Sequence, residues 1–482
     1  MSFLSAEFGI FLALGLLIFY LSPSQWRPRV LLGWSYAFYA SWSPAGTVLL
    51  LFITLSVYLT ARWIQGRSAE SAKFAVTTAG VASLLVVLIV FKFNAWLSSP
   101  FQALLGDIAP GIRVIAPLGL SYYLFKAMGY LLDVYWEKVA VQRSFVSLAL
   151  YISFFPQIVS GPIQRAGDFF DRFDGLKRPD SAEFVVGLRR ILFGFAKKVV
   201  IADRLAVLVA NTHSNPSRFS SVELLLGAYC YSFQLYADFS GVTDIAIGLG
   251  LLFGVRGPEN FNLPYFARNV QEFWRRWHMS LTSWLSDYLF LPLRMSLRRL
   301  GTFGLALAIL VNMLAVGLWH GPTWAYAAFG AINGIFMIVS VLTLKRRNAV
   351  FQTHPWLASV RRWTGPLVTF HLMVFAQIFF SVSLGSAFTY VGRIVPFPAV
   401  LHAGVPMLRL SWPLLGISVW TFAALCAGLV TMEAIHWGSQ HACWRARFMS
   451  APRYVRWGLY YASILIILLS VRTTVSFIYA QF

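Results

Sequence analysis

The stretch FGLALAILVNMLAVGLWHGPTWAYAAFGAINGIFMIVSVLTL, Phe303 to Leu344, decides the fold. It contains two apolar runs, 303–319 and 323–344, each within the roughly 17 to 25 residues that a membrane-crossing helix requires. Between them stand His320, Gly321 and Pro322. Pro322 has no amide hydrogen and disfavours helix before it, so the chain is expected to break beside the histidine. A polar imidazole at a helix break inside a bundle is costly unless it faces water, a partner or a substrate. A hydrogen-bonded structural histidine is the alternative.

The rest of the chain follows the same pattern. Of 482 residues, 58% are hydrophobic and 12% charged, with a mean hydropathy of +0.67, the balance of a polytopic membrane protein. Further apolar runs lie at 3–22, 30–61, 74–92, 114–134, 184–210, 221–254, 366–384, 412–432 and 457–479. The run 30–61 is too long for one pass and is split by SWSP, Ser41 to Pro44, into a hairpin with basic flanks on one side. Counted that way, the chain is expected to make about twelve passes. The first run carries Glu7 and lacks a preceding basic region and a small-residue cleavage site, so it is read as a retained span.

The net charge of +21 falls mostly between the apolar runs, which the positive-inside rule explains without nucleic acid. Arg27, the loop from Arg143 to Arg178, the loop from Arg294 to Arg299, Lys345 to Arg347 and the segment Trp444 to Arg456 all fall inside when both termini are placed outside. The stretches 93–113 and 385–411, poor in basic residues, then fall outside. The run Phe145 to Val159 is too short to cross and is expected to be re-entrant or interfacial. Cys230, Cys426 and Cys443 form no CxxC pair and suggest neither a disulfide framework nor a zinc site. With no repeat and no separate soluble segment, residues 1–482 read as a single membrane-embedded, all-α domain.

Three more polar islands interrupt the apolar runs. QEFWRRWHMSLTSWLSDYLFLPL, Gln271 to Leu293, has its aromatic and aliphatic residues at spacings of three and four, the pattern of an amphipathic helix. With Arg275, Arg276 and Asp287 on its polar side, it is expected to lie at the cytoplasmic interface and to present His278 there. QLYADFSGVTDIAIG, Gln234 to Gly248, buries Asp238 and Asp244, with Ser240 and Gly241 allowing a kink between them. Pairing with Arg or Lys from neighbouring helices is the structural alternative. ISFFPQIVSGPIQR, Ile152 to Arg165, cannot form one helix because of its prolines and small residues, so its backbone is free to line a cavity. Gln157 lies within it, and Arg165 at its end would suit phosphate. There is no Walker loop, no GxSxG elbow and no HExxH motif.

Together with GLWHGPTW and PLGLSYYLFKAMGYLLDVY, Pro117 to Tyr135, these motifs resemble the membrane-bound O-acyltransferases. The nearest likeness is to the bacterial branch of the alginate O-acetyltransferase membrane subunit and the teichoic acid D-alanyltransferase. The resemblance runs in order from about 117 to 336, the motif-bearing core. One departure stands at FFSVSLGSA from Phe379, where the branch often has FFRA.

The resemblance implies a ring of tilted helices around a thin centre, with cytoplasmic and outer funnels, and with interfacial and re-entrant helices. It places His320, beside Trp319, at the family's central histidine, and His278 at the second one near the cytoplasmic opening. Trp274, Arg275 and Asp287 would support donor entry there, with Asp238, Ser240, Gln157 and Arg165 as further supporting residues. It implies a multi-pass protein of the bacterial inner membrane using acetyl-CoA as acyl donor, with no metal and no bound cofactor. A periplasmic acetyltransferase partner and a polysaccharide synthesis and export complex complete the expectation. Neutral imidazole suits His320 to act as general base, or less directly as a transient acyl carrier. D-alanyl transfer to teichoic acid and a non-enzymatic transporter or flippase are the alternatives; broken helices and intramembrane carboxylates fit a transporter too.

Overall fold

Helices Gly301–His320 and Trp324–Leu342 form where the two apolar runs predict them, and glycine lets their backbones meet. A Cβ on Gly317 would stand 2.2 Å from the Tyr326 carbonyl oxygen, and one on Gly330 would stand 2.6 Å from that of Met313. Only hydrogen fits at these positions. In lipid, where apolar side chains gain little by leaving their surroundings, such close backbone approach is what draws helices together. Thr323 starts the second helix by accepting the Tyr326 amide hydrogen at 3.2 Å.

The structure is a computed structural model describing residues 1, 3–93, 117–171, 176–394 and 410–471. Among the described residues the secondary structure is helical, apart from one isolated bridge between Phe261 and Trp277. Seven helices among the described residues are long and apolar enough to cross a membrane: Pro44–Gln65, Glu70–Lys92, Ser221–Leu252, Arg298–His320, Trp324–Leu342, Pro355–Ser381 and Val419–Gln440. The twelve expected passes are thus not matched one for one. Ala6–Leu21 and Leu120–Tyr135 have only 16 residues each. The run 184–210 is divided into Ser181–Phe195, a π-helical stretch Ala196–Ala202 and Asp203–Ser214. The outside assignments for 94–113 and 395–409 lie outside the described residues.

The hairpin does split as SWSP suggests, into Arg27–Ala40 and Pro44–Gln65, with Ser43 Oγ accepting the Gly46 amide hydrogen at 2.9 Å. The run from Phe145 becomes two short buried helices, Phe145–Ser153 and Phe155–Ile158, with a corner at Phe154.

The described residues pack as two units. In the unit of Met1–Ile191 and Thr243–Glu259, Phe155 is a packing centre. Its ring meets Phe38 and Phe253, each at 5.6 Å, and its amide donates to Ser35 Oγ at 3.2 Å. The unit of Leu192–Val242 and Asn260–Ile478 contains both histidines of interest. Helix Ser221–Leu252 supplies Asp238 to this second unit and Asp244 to the first.

Candidate active site

The segment around His278 is not the continuous amphipathic helix that its spacing predicts. Helix Val270–Trp274 ends, the chain turns, and helix Met279–Leu285 begins, followed by a π-helical turn Ser286–Phe290 and helix Leu291–Ser296. The cause is pairing with a distant segment. The Asn262 amide donates to the Arg276 carbonyl at 3.0 Å and the Met279 amide to the Asn260 carbonyl at 2.9 Å. Asn260 Oδ1 also accepts from Ser280, from the amide at 3.2 Å and from the hydroxyl at 2.6 Å. These bonds hold His278 at φ 44°, a left-handed conformation that costs a non-glycine residue about 1–3 kcal/mol.

Nor does this segment present His278 at an interface. The side chains of Phe273, Trp274, Trp277 and Ser280 are buried, and His278 is 1% exposed. Burial disfavours the charged imidazole and pushes the pKa of His278 down to about 3, so the ring is neutral at ordinary pH.

His320 is the last residue of its helix, as the Gly-Pro break predicts, and it too is buried. The Trp319 ring lies against both imidazoles, with centroids 5.7 Å from His278 and 4.7 Å from His320, each edge to face. Phe239 meets His278 at 4.6 Å, and Phe380 meets His320 at 4.6 Å. Phe329 lies 6.5 Å from His320 and 6.4 Å from Trp274. Five stretches of chain therefore place two imidazoles in one aromatic enclosure, and His278 is held there in its neutral, proton-accepting form. At the FFSVSLGSA departure, Phe380 supplies a wall of this enclosure, while Ser381 turns back to its own helix and donates to the Ile378 carbonyl at 2.9 Å.

Of the other anticipated residues, Trp274 lies in this unit with its indole N–H unpartnered among the described residues. Arg275 is exposed, and Asp287 lies partly exposed on the π-helical turn. Asp238 is ion-paired: Lys198 Nζ lies 2.6 Å from its carboxylate and 2.9 Å from that of Asp203. Ser240 is buried with its hydroxyl unpartnered among the described residues, and the helix runs on through Ser240 and Gly241.

Gln157 belongs to the other unit, where its Oε1 accepts from Lys126 Nζ at 3.1 Å and its Nε2 donates to Gln164 at 2.7 Å. Arg165 follows at the head of helix Ala166–Phe170 in that unit. There too Asp244 is held by Arg190 at 2.8 Å, with Glu259 on the same guanidinium. The structural alternative for both intramembrane aspartates is what the geometry realises. Lys198, Asn260, Phe239 and Phe380 escaped the sequence reading, because each acts through a contact made far along the chain. No three His, Cys, Asp or Glu residues gather as a metal-ligand set among the described residues.

The family model of the membrane-bound O-acyltransferases matches residues 112–385, more than half of the chain. The chain belongs to the membrane-bound O-acyltransferase family. Its matched span includes the His278 segment, the His320 break and the Phe380 wall. Over 342 residues it is 37% identical to the probable alginate O-acetylase of Azotobacter vinelandii, covering 68% of this chain and 66% of that protein. It is 30% identical to the peptidoglycan O-acetyltransferase of Helicobacter pylori, covering 71% and 68% of the two chains. It is also 30% identical to the teichoic acid D-alanyltransferase of Bacillus subtilis, covering 69% and 84%. The acyltransferase is thus a multi-pass membrane protein whose relatives differ in acyl group and acceptor.

Proposed function

We propose that this acyltransferase takes an acetyl group from acetyl-CoA at the cytoplasmic face of a bacterial inner membrane and passes it outward for O-acetylation of an exported polysaccharide of the alginate or cellulose type. A periplasmic acetyltransferase would receive the group and work with the polysaccharide synthesis and export machinery. The observation that carries the reading is the contact of Trp319 with both imidazoles inside one aromatic enclosure. The 37% identity to a probable alginate O-acetylase supports acetyl as the acyl group.

In the proposed step, His320 accepts the proton of an acceptor hydroxyl as its oxygen bonds to the thioester carbonyl carbon. The carbon–sulfur bond then breaks, and the thiolate takes the proton back from the imidazolium. His278, neutral and walled by Phe239, aligns the donor or relays that proton. Trp274, a donor only, offers its free N–H to a substrate oxygen. Asp238 and Ser240 support the wall that carries Phe239, while Arg275 and Asp287 serve donor entry. Gln157 belongs to a polar network of the other unit with Lys126 and Gln164, and Arg165 stands at the head of helix Ala166–Phe170 there.

Purified protein given radiolabelled acetyl-CoA and an acceptor is expected to release CoA, and His320→Ala to slow that release by about 10²–10⁴-fold, the usual worth of a general base. Full activity in a properly inserted His320→Ala protein removes the assignment. The identity to a teichoic acid D-alanyltransferase favours one second reading, D-alanyl transfer from a carrier protein. Consumption of labelled D-alanyl carrier, with acetyl-CoA untouched, decides for it.

A further inference from the structure

We propose that Arg268, Arg347 and Arg361, with Arg276 beside them, form a phosphate-binding site on the unit that carries the two histidines. The Arg276 guanidinium bonds the Glu272 carboxylate, and Arg268, Arg347 and Arg361 lie on segments packed against one another beside it. Both oxygens of Glu272 are engaged: one accepts from Arg276 at 2.5 Å and the other from the Arg268 amide at 2.8 Å. The side chains of Arg268, Arg347 and Arg361 have no carboxylate partner among the described residues.

Three observations bring these arginines together. A Cβ on Gly365 would stand 3.0 Å from the Arg268 carbonyl oxygen, so helix Pro355–Ser381 abuts Arg268 one turn beyond Arg361. The Arg361 guanidinium lies over the Phe351 ring at 4.7 Å, and Phe351 is one turn beyond Arg347 on helix Leu344–Thr353. The side-chain charges acting on Arg361 are those of Arg347, Glu272 and Arg268. Arg347 donates one nitrogen to the Ser340 carbonyl at 2.6 Å, and its Nε is buried with no partner among the described residues.

The positive-inside rule explains why basic residues occur in such loops, but not why they crowd against one another with a single carboxylate among them. Planar guanidiniums gathered in this way match the oxygens of phosphate, which can accept two parallel hydrogen bonds from each. Glu272 and Arg276 belong to the short segment that ends at His278, so the site adjoins the chain that carries one of the proposed reacting groups.

Two sources could present this chemistry: the diphosphate of a soluble thioester donor, or the headgroup of an acidic phospholipid. The first rests on the acyl-transfer reading, whereas phosphate binding itself does not. The test uses the full-length protein in neutral phosphatidylcholine nanodiscs, with free coenzyme A, which carries no acyl group, as the first probe. Arg347→Gln/Arg361→Gln is expected to weaken coenzyme A binding by at least about tenfold, the worth of one lost charge-assisted contact. Arg347→Lys/Arg361→Lys is expected to keep much of it, and inorganic pyrophosphate to compete.

His320→Ala is expected to bind coenzyme A as the parent does, so failure of the catalytic assignment and failure of this one are told apart. In a second arm, nanodiscs containing phosphatidylglycerol are analysed for co-retained lipid. Loss of selective phosphatidylglycerol retention in the double Gln protein, without any coenzyme A binding to the parent, supports the site with lipid as the source. Equal coenzyme A, pyrophosphate and phosphatidylglycerol binding by parent and double Gln protein, with unchanged melting, overturns it.

Discussion

At the scale of single residues, Trp319 is what joins the two histidines. It precedes His320 in sequence and reaches His278 only through the fold. The Gly-Pro sequence makes the break beside His320 legible, because proline acts on its immediate neighbours. The burial of His278 is not legible from WRRWH, since flanking arginines read as an interface whether or not the ring between them turns inward.

That burial has a consequence that can be measured. The folded pKa of His278 lies below its ordinary value of 6.5, so beneath that pH the unfolded chain binds a proton that the folded chain does not. Stability therefore falls as pH drops from 6.5 toward 3. By about pH 5 the loss should approach 2 kcal/mol. Asn suits the left-handed backbone and does not titrate, so His278→Asn is expected to remove this part of the slope. Thermal melts of both proteins across that range check it; an unchanged slope in the Asn variant refutes the assignment.

At the scale of elements, the sequence predicts those helices whose signals are local and misses those decided by distant contacts. Ser43 and Pro44 split the hairpin by capping and by a missing amide, both readable in order. The apolar spacing of 271–293 is real, yet the helix is interrupted because Asn260 and Asn262 bond its middle. Likewise Asp238 reads as a stray intramembrane charge until the π-helical stretch Ala196–Ala202 brings Lys198 to it.

The Gly317–Gly330 crossing gives this scale its test. Gly330→Ala puts a methyl 2.6 Å from the Met313 carbonyl oxygen, whereas Gly385→Ala meets nothing within 4 Å. Overpacking of this kind costs about 1–3 kcal/mol. Gly330→Ala is expected to lower the melting temperature in detergent and Gly385→Ala to leave it in place. Equal melting of the two proteins contradicts the close backbone approach.

At the scale of the whole molecule, membrane character was legible because it is a sum over composition, while the number of passes was not. A count of spans assumes that each apolar run is one straight helix of bilayer length. Here Leu120–Tyr135 is 16 residues and carries Lys126 and Asp133, both buried by protein, so hydropathy and length alone do not classify it. Charge asymmetry does not depend on that classification, because it concerns only the loops.

Charge therefore provides the sharper prediction, with Arg27, Lys345 to Arg347 and Trp444 to Arg456 on the cytoplasmic side and the N-terminal residues outside. Cys443 is an exposed native reporter immediately before the last of these segments, Cys230 is buried, and Cys426 can be replaced by Ser. In spheroplasts, a membrane-impermeant maleimide is expected to spare Cys443 in the Cys426→Ser protein until the membrane is permeabilised. With Cys443 also replaced, Ala6→Cys, exposed at the first helix, is expected to react at once. Immediate labelling of Cys443 together with protection of Ala6→Cys reverses the orientation. It would also place the basic segments opposite the thioester pool that the proposed donor requires.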